Sequence, residues 1–223
     1  MATRGIVFDA YGTLLDVHSA MARHAQRIGP NWEAISAAWR AKQLEYSWIR
    51  SLTGPAHHRD FAELTDAALD FVARKFDLHD DALIVDLRAA YRTLDAYPEV
   101  PNMLRSLRSK GIPTAILSNG SPAMLASAVK AGGLELLLDE VISVEEAGIF
   151  KPDPRVYDLA IRRLGGDASK LVFVSSNAWD AFGAHANGFR VVWCNRTAQP
   201  DEYGLRAHAA EYGDLSTLSE AFS

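Results

Sequence analysis

Four groups of polar residues follow apolar runs of the sequence, and they contain the side-chain types of nucleophilic and acid–base chemistry. In chain order they are Asp9 with Thr13, Ser118-Asn119, Lys151, and Ser175-Ser176-Asn177 with Asp180. A positioned carboxylate can attack an electrophilic carbon or take a proton from water, and a nearby cation favours its charged form. We therefore expect these groups to form one site, provided that the fold brings them together.

Each group alone has an ordinary structural explanation. An acid after a strand often caps a helix or lies in a solvated turn, Ser-Asn-Gly is a common turn sequence, and most lysines face solvent. The occurrence of all four groups in order, each after an apolar run, favours a functional site.

The apolar runs are typical of buried strands. They are rich in β-branched residues and cover residues 5–9, 113–119, 139–145, 171–177 and 190–195. Continuous runs of this kind indicate strands covered on both faces, as in a parallel sheet. Helical patterns lie between them, with ends marked by Gly111, Ser121-Pro122 and Asp153-Pro154. The alternation predicts a doubly wound α/β fold, which binds ligands at the carboxyl ends of its strands.

A long segment after the first run interrupts this alternation. Residues 17–97 contain no convincing strand, whereas "WRAKQLEYSWIRSL" and "DFAELTDAALDFVARKF" have helical periodicity. In the second piece Phe61, Leu64, Ala68, Val72 and Phe76 share one face. We predict an α/β core of residues 1–16 and 98–223, with residues 17–97 as an all-helical cap over its active edge.

Composition restricts the classes of partner. The 223 residues carry a formal net charge of −5 with interleaved acids and bases, which argues against a nucleic-acid surface. No apolar stretch approaches the roughly 20 residues of a membrane span, and the N-terminus leads straight into the first strand without room for a signal peptide. The single cysteine, Cys194, lies in an apolar run and has no disulfide partner. We expect a cytoplasmic protein that binds a small molecule.

The chain resembles the haloacid dehalogenase superfamily over essentially its whole length. The motifs are Asp9-x-x-Gly12-Thr13, Ser118-Asn119, Lys151-Pro152 and Ser175-Ser176-Asn177-x-x-Asp180. In the magnesium-dependent phosphatases of that superfamily, an acid stands where this chain has Tyr11, and a Gly-Asp pair stands where it has Ser175-Ser176. Mg²⁺ prefers carboxylate oxygens, and two of them are missing. The resemblance therefore implies neither phosphoryl transfer nor a metal or other cofactor.

Five sequence blocks resemble the (S)-2-haloacid dehalogenase branch: "DAYGTLLDVHS", "WRAKQLEYSW", "LSNGSP", "FKPDPRVY" and "FVSSNAWD". The resemblance implies catalytic roles for Asp9, Thr13, Arg40, Lys151, Ser175, Asn177 and Asp180. Asp9 would displace halide from C2 of a short 2-haloalkanoate and form an ester. Asp180 would then activate the water that hydrolyses it. The (S)-haloacid would give an (R)-2-hydroxyacid plus halide.

The same resemblance implies a substrate-binding set: Tyr11, Arg40, Leu44, Ser118, Asn119, Tyr157 and Trp179. Arg40 of the cap would receive the halide, beside Asn119 and Trp179. The Ser118 hydroxyl and the Tyr11 N–H would bind the carboxylate. Tyr157 also belongs to an apolar helix stripe, so packing explains it almost equally well.

Two other functions stay open at this point: a phosphatase of the same superfamily, and a binding protein that kept the fold without turnover. Relatives in the family are commonly homodimers. The family also commonly has Gln directly after the cap arginine, where this chain has Ala41. If that amide supports the arginine, activity or halide preference would differ here.

Overall fold

A computed structural model describes residues 3–222 and contains a six-stranded sheet in which all neighbouring strands run parallel. The strands are β1 (Gly5–Phe8), β2 (Thr114–Ser118), β3 (Glu140–Ser143), β4 (Leu171–Ser175), β5 (Arg190–Cys194) and β6 (Ala209–Tyr212). Their order is β3-β2-β1-β4-β5-β6. The predicted doubly wound α/β fold is confirmed. β6 was not predicted, because its sequence AAEY forms a partly exposed edge strand without an apolar run.

Nine α-helices occur in the described part of the chain. They are α1 (Ser19–Ala22), α2 (Ala25–Ile28), α3 (Trp32–Leu52), α4 (Phe61–Lys75), α5 (Asp81–Tyr91), α6 (Val100–Ser109), α7 (Pro122–Ala131), α8 (Pro154–Arg163) and α9 (Ala178–Ala186). Within residues 3–222, none of the helices combines the length and apolarity needed to cross a membrane.

The register of the central strands brings their carboxyl ends to one edge. Phe8 of β1 pairs with Ile116 of β2 on one side and with Val174 of β4 on the other. β1, β2 and β4 are buried throughout, as expected for strands covered on both faces. This register places three residues at nearly the same height along the strands, within one or two positions of each other: Asp9, Ser118 and Ser175.

The five helices α1–α5 lie between β1 and β2, and the described part of residues 17–97 contains no strand. The two chain crossings that join this helical segment to the sheet run side by side. The N–H of Asp16 donates to the carbonyl of Asp95 at 2.8 Å, and that of Tyr97 donates to Leu14 at 3.0 Å. The boundaries 16/17 and 97/98 stay a prediction, which these paired crossings support.

The helical segment contacts the core beyond the ends of the strands. The N–H of Phe150 donates to the Ser51 hydroxyl at 3.2 Å, and His58 Nε2 lies 2.9 Å from a carboxylate oxygen of Glu145. In α4, four of the five predicted apolar residues are buried, whereas Phe76 lies just past the helix end and is half-buried. Helices α3 and α4 thus pack on each other and cover the carboxyl edge of the sheet.

Candidate active site

The carboxylate of Asp9 lies directly after β1 and accepts hydrogen bonds on both oxygens. Lys151 Nζ donates to Oδ1 at 3.0 Å, and Thr13 Oγ1 and Asn177 Nδ2 donate to Oδ2 at 3.1 and 2.8 Å. The turn after it needs a glycine, because Gly12 has a φ of +91°. Asp9 is only 6% exposed, so the sheet edge holds this carboxylate in a defined orientation.

Lys151 is a buried cation placed between two carboxylates. Its Nζ lies 3.0 Å from Asp9 and 2.8 Å from Asp180, and the side chain is 1% exposed. Burial lowers the pKa of Lys151, but the charges and hydrogen bonds of Asp180 and Asp9 outweigh it and raise that pKa. Lys151 therefore stays protonated and supplies a fixed positive charge beside both acids.

Asp180, on the first turn of α9, is fully buried and has three hydrogen-bond donors. The Tyr157 hydroxyl donates to Oδ1 at 2.7 Å, and Lys151 and the Ser175 hydroxyl donate to Oδ2 at 2.8 and 3.1 Å. Burial raises the pKa of Asp180 to about 6, against the lowering effect of Lys151. A carboxyl group with a pKa near neutral pH is well matched to general-base catalysis.

The loop after β4 is tied to the loop after β1. The N–H of Ser176 donates to Thr13 Oγ1 at 2.8 Å, and the N–H of Asn177 donates to Ser175 Oγ at 3.1 Å. The structure therefore joins six of the seven predicted catalytic residues in one hydrogen-bonded cluster: Asp9, Thr13, Lys151, Ser175, Asn177 and Asp180. Their chemical roles stay predictions.

Ser118 and Asn119, at the end of β2, are both buried beside this cluster. Asn119 Oδ1 accepts the N–H of Lys151 at 3.0 Å, which fixes the orientation of its amide. Ser118 Oγ accepts the N–H of Gly120 at 3.2 Å. Both side chains thus have defined positions in the site, and their role in binding substrate stays a prediction.

Arg40, the seventh predicted catalytic residue, reaches the site from α3. Its Nη2 donates to the carbonyl oxygen of Tyr11 at 3.2 Å, and Asn177 Nδ2 donates to the same oxygen at 3.1 Å. The guanidinium is half-buried and points into the cap–core boundary. It also borders a cavity of about 230 Å³ between the two parts.

The predicted alkyl-binding residues lie at the same boundary. Tyr11 is buried and stacks on Tyr91 with ring centroids 5.9 Å apart, and burial raises its pKa, so the phenol stays protonated. Leu44 lies one helical turn after Arg40 and is buried. Trp179 packs edge-on against Trp48 at 5.5 Å and borders a cavity of about 410 Å³.

Tyr157, which the sequence assigned to substrate binding, contacts Asp180 through its hydroxyl. This approach is possible because residue 183 is glycine: a Cβ there would overlap the Tyr157 hydroxyl. The contact favours a role in orienting Asp180.

Two groups with defined contacts in the site were not foreseen. Gln43 accepts a hydrogen bond from Arg40 at 2.7 Å, whereas Ala41 is exposed, so the amide beside the arginine is that of Gln43. Arg196, in the loop after β5, donates to the carbonyl of Thr13 at 2.8 Å. A polar residue three positions after Arg40 was the available signal for Gln43. Nothing in the sequence distinguished Arg196 from a solvated arginine.

The carboxylates of the site are poorly arranged for a divalent cation. Asp9 and Asp180 both bond to the ammonium of Lys151, and a metal ion placed between them would be repelled by that charge. Among residues 3–222, no three His, Cys, Asp or Glu side chains are grouped to hold a metal. Metal-independence stays a prediction.

Comparisons with known proteins agree with this geometry. Residues 3–188 match the family model of haloacid dehalogenase-like hydrolases. The chain is 49% identical to (S)-2-haloacid dehalogenase 1 of Pseudomonas sp. (strain CBS-3), over 97% of this chain and 94% of the relative. It is 47% identical to (S)-2-haloacid dehalogenase 4A of Burkholderia cepacia, over 96% and 93%.

A similar solved structure is that of a dehalogenase with an intermediate complex. It superposes with a TM-score of 0.95 at 45% identity and covers 99% of this chain and 97% of that one. The agreement therefore extends over both the sheet and the helical segment. The chain belongs to the haloacid dehalogenase-like hydrolase family.

Proposed function

We propose that the protein hydrolyses short (S)-2-haloalkanoic acids to (R)-2-hydroxyacids and halide, through an ester on Asp9. One observation carries the proposal: a buried carboxylate is fixed by Lys151, Thr13 and Asn177, and a cap arginine shares the Tyr11 carbonyl with that Asn177 amide. The (S)-2-haloacid dehalogenases that the chain resembles support it.

In the first half-reaction an oxygen of Asp9 attacks C2 of the substrate from the side opposite the halogen. The new C–O bond forms as the carbon–halogen bond breaks, its electron pair leaves with the halide, and the configuration at C2 inverts. Nucleophile and substrate are both anions, so the site must supply positive charge and oriented donors. Lys151 supplies this charge at Asp9, and Arg40, which the family resemblance groups with Asn119 and Trp179, receives the halide.

In the second half-reaction water attacks the carbonyl carbon of the Asp9 ester. Asp180 takes the proton, while Lys151, Ser175 and Asn177 orient the water. The bond between the Asp9 carbonyl carbon and the ester oxygen breaks, and the departing alkoxide takes the proton that Asp180 received. Asp9 is regenerated as a carboxylic acid and loses its proton to solvent, and the hydroxyacid leaves with an oxygen that belonged to Asp9. C2 takes no part in this step, and the inverted configuration is kept.

The remaining contacts bind the rest of the substrate. The Ser118 hydroxyl and the Tyr11 N–H bind its carboxylate, and Tyr11, Leu44 and Trp179 surround the alkyl group. All three of these side chains lie at the boundary between α3 and the sheet edge, which supports an alkyl-binding position between cap and core.

Location and assembly belong to the same proposal. The protein is cytoplasmic, in keeping with a buried free thiol at Cys194, and forms a homodimer through the cap. Exposed apolar side chains on the cap helices support the dimer: Ile49, Leu52, Phe71 and Val85. Light scattering coupled to size exclusion should give twice the mass of the chain, and cell fractionation tests the location.

The decisive experiment measures halide release from the separate enantiomers of 2-chloropropionate, with and without EDTA. We expect release from the (S)-enantiomer alone, formation of (R)-lactate, and no effect of EDTA. Asp9→Asn should abolish release while the circular dichroism spectrum is unchanged. Racemic lactate, or dependence on Mg²⁺, would overturn the mechanism.

Two further measurements distinguish the dehalogenase from a phosphatase and from a binding protein without turnover. Magnesium-dependent phosphate release from a generic phosphomonoester would identify a phosphatase. A folded wild-type protein that binds 2-chloropropionate in calorimetry but never releases halide would identify a binding protein.

A further inference from the structure

Gln43 is a fully buried polar side chain in the cap, and both its amide oxygen and its amide nitrogen are hydrogen-bonded. Its Oε1 accepts from Arg40 Nη1 at 2.7 Å and from the Tyr91 hydroxyl at 3.0 Å. Its Nε2 donates to Thr65 Oγ1 at 2.5 Å. The three partners come from α3, α4 and α5, so the amide lies where the three cap helices meet.

The network allows only one orientation of this amide. The Thr65 hydroxyl donates its hydrogen to the carbonyl of Phe61 at 2.6 Å, so its oxygen accepts the bond from Gln43 Nε2. Arg40 can only donate and therefore requires the amide oxygen, to which the Tyr91 hydroxyl also donates. A flipped Gln43 would leave donors facing donors, so the buried oxygen always faces the guanidinium.

Arg40 has few other restraints. Within residues 3–222 the guanidinium also donates to the carbonyl of Tyr11 at 3.2 Å, and it lies close enough to the Tyr91 hydroxyl to interact with it. The same part of the chain gives it no ion pair with a carboxylate. A flexible arginine side chain loses much conformational freedom when it is held in one position. The strong restraint on this guanidinium is therefore Gln43.

A neutral partner has a specific advantage at this position. A carboxylate would hold the guanidinium just as firmly, but its charge would cancel the attraction of Arg40 for an anion. The amide oxygen fixes the guanidinium and leaves its full charge available. The chemistry of the partner thus matches a cation that must receive a halide.

We propose that Gln43 is a positioning residue which sets the halide-receiving position of Arg40 without reducing its charge. This inference rests on the proposed dehalogenase function and deepens it. Gln43 itself contacts neither substrate nor halide, so its contribution passes entirely through Arg40. Loss of the amide should weaken the interaction with the leaving halide and spare the binding of the carboxylate.

The test compares Gln43→Met, of similar length but without hydrogen bonds, with Lys42→Met as the matched control. Lys42 pairs with Glu45 on the outer side of α3. kcat/KM reports the steps up to halide release. For Gln43→Met it should fall about tenfold with (S)-2-chloropropionate and less with the bromo acid, because chloride is the poorer leaving group and the stronger acceptor. Lys42→Met should leave both values unchanged.

Inhibition by products gives the second readout. Sodium bromide, measured against sodium sulfate at equal ionic strength, should inhibit Gln43→Met several-fold more weakly, while inhibition by (R)-lactate should not change. In an Arg40→Met background, Gln43→Met should have no further effect on the chloro-to-bromo ratio. An equal loss for both substrates, with unchanged bromide inhibition, would mean that Gln43 only stabilises the cap and would overturn the inference.

Thr65→Val provides the same readout if Gln43→Met does not fold, since it removes the acceptor that fixes the amide. An unchanged chloro-to-bromo ratio in folded Thr65→Val would also overturn the inference. If the wild type releases halide but the variants do not change the chloro-to-bromo ratio, only the inference about Gln43 is lost. If the wild type releases none, the proposed function is lost, and the inference with it.

Discussion

The two halves of the site hold their cations in opposite ways. On the core side, Lys151 lies between two carboxylates at 3.0 and 2.8 Å and is almost completely buried. On the cap side, Arg40 is half-buried, and its hydrogen-bond acceptors in the part of the chain that the structure describes are neutral oxygens, those of Gln43 and of the Tyr11 carbonyl. The core cation has its charge balanced before substrate binds, whereas the cap cation does not.

This difference indicates that Lys151 and Arg40 have different roles. In the proposed reaction, the balanced cation Lys151 fixes the geometry of the nucleophile and the base, which must not move. An unbalanced cation attracts and receives an anion, which has to arrive with the substrate and leave as halide. The two residues should therefore differ in what their removal does to stability as well as to turnover.

The largest effect should come from Lys151→Met. It leaves two buried carboxylates without their shared cation, so we expect halide release to fall more than a thousandfold. We also expect the free energy of unfolding at pH 7 to fall by about 3–5 kcal/mol. Urea denaturation followed by fluorescence measures the stability. The carboxyl groups can take up protons at lower pH, so the destabilisation should shrink as the pH falls from 8 to 5.

Arg40→Met is the comparison variant. Turnover should also fall strongly, but stability should change by no more than about 1 kcal/mol, because no buried carboxylate loses its partner. Equal destabilisation by both variants, or the same pH dependence of stability, would contradict the distinction between balanced and unbalanced cations.

The next effect concerns the second half-reaction. Asp180→Asn cannot accept the proton from water, so the ester on Asp9 should accumulate. One halide per site should be released from (S)-2-chloropropionate, followed by turnover at least about a thousandfold slower than in the wild type. Mass spectrometry of the intact chain should detect the added acyl group. Asp9→Asn is the control, because it should give neither burst nor adduct.

The core side of the site followed from the sequence because strand ends meet at one edge of a parallel sheet. Asp9 lies directly after β1, whereas Lys151 and Asp180 lie in the segments that follow β3 and β4. The strand order therefore predicted the edge at which these three residues meet. The support of Arg40 did not follow in this way. Gln43 and Tyr91 meet through the packing of three helices, and helical periodicity gives the face of each helix but not their mutual arrangement.

The edge strand and the loop after β5 escaped prediction for a related reason. β6 has no apolar run, because one side of it faces solvent. Arg196 contacts Thr13 only because the sheet order places β5 beside β4 and next to the chain crossings. Long-range contacts of this kind have no local sequence signal.

A smaller effect should appear in the pH dependence. Asp180 must be ionised to accept a proton, so hydroxyacid formation should decline as the pH falls through about 6. The hydrogen bond from Tyr157 lowers the pKa of Asp180 against the effect of burial. Tyr157→Phe should therefore raise that pKa and move the acid limb of the pH–rate profile to higher pH. The rate at pH 8 should stay close to that of the wild type. If the acid limb of the Tyr157→Phe profile does not move, or moves to lower pH, Tyr157 contributes only to packing.

The smallest effect should come from Arg196, which joins the two chain crossings to the nucleophile loop. Its guanidinium forms an ion pair with Glu99 at 2.7 Å, stacks on the Tyr97 ring at 3.7 Å and donates to the carbonyl of Thr13 at 2.8 Å. Arg196→Met should lower the free energy of unfolding by about 1–2 kcal/mol. It should also reduce kcat about threefold, because Thr13 orients Asp9.

Arg190→Met, at the other end of β5, is the control and should change neither the free energy of unfolding nor kcat. A stability loss without any change in kcat would assign Arg196 to the chain crossings alone, and the nucleophile loop would then be held by the core cluster without it.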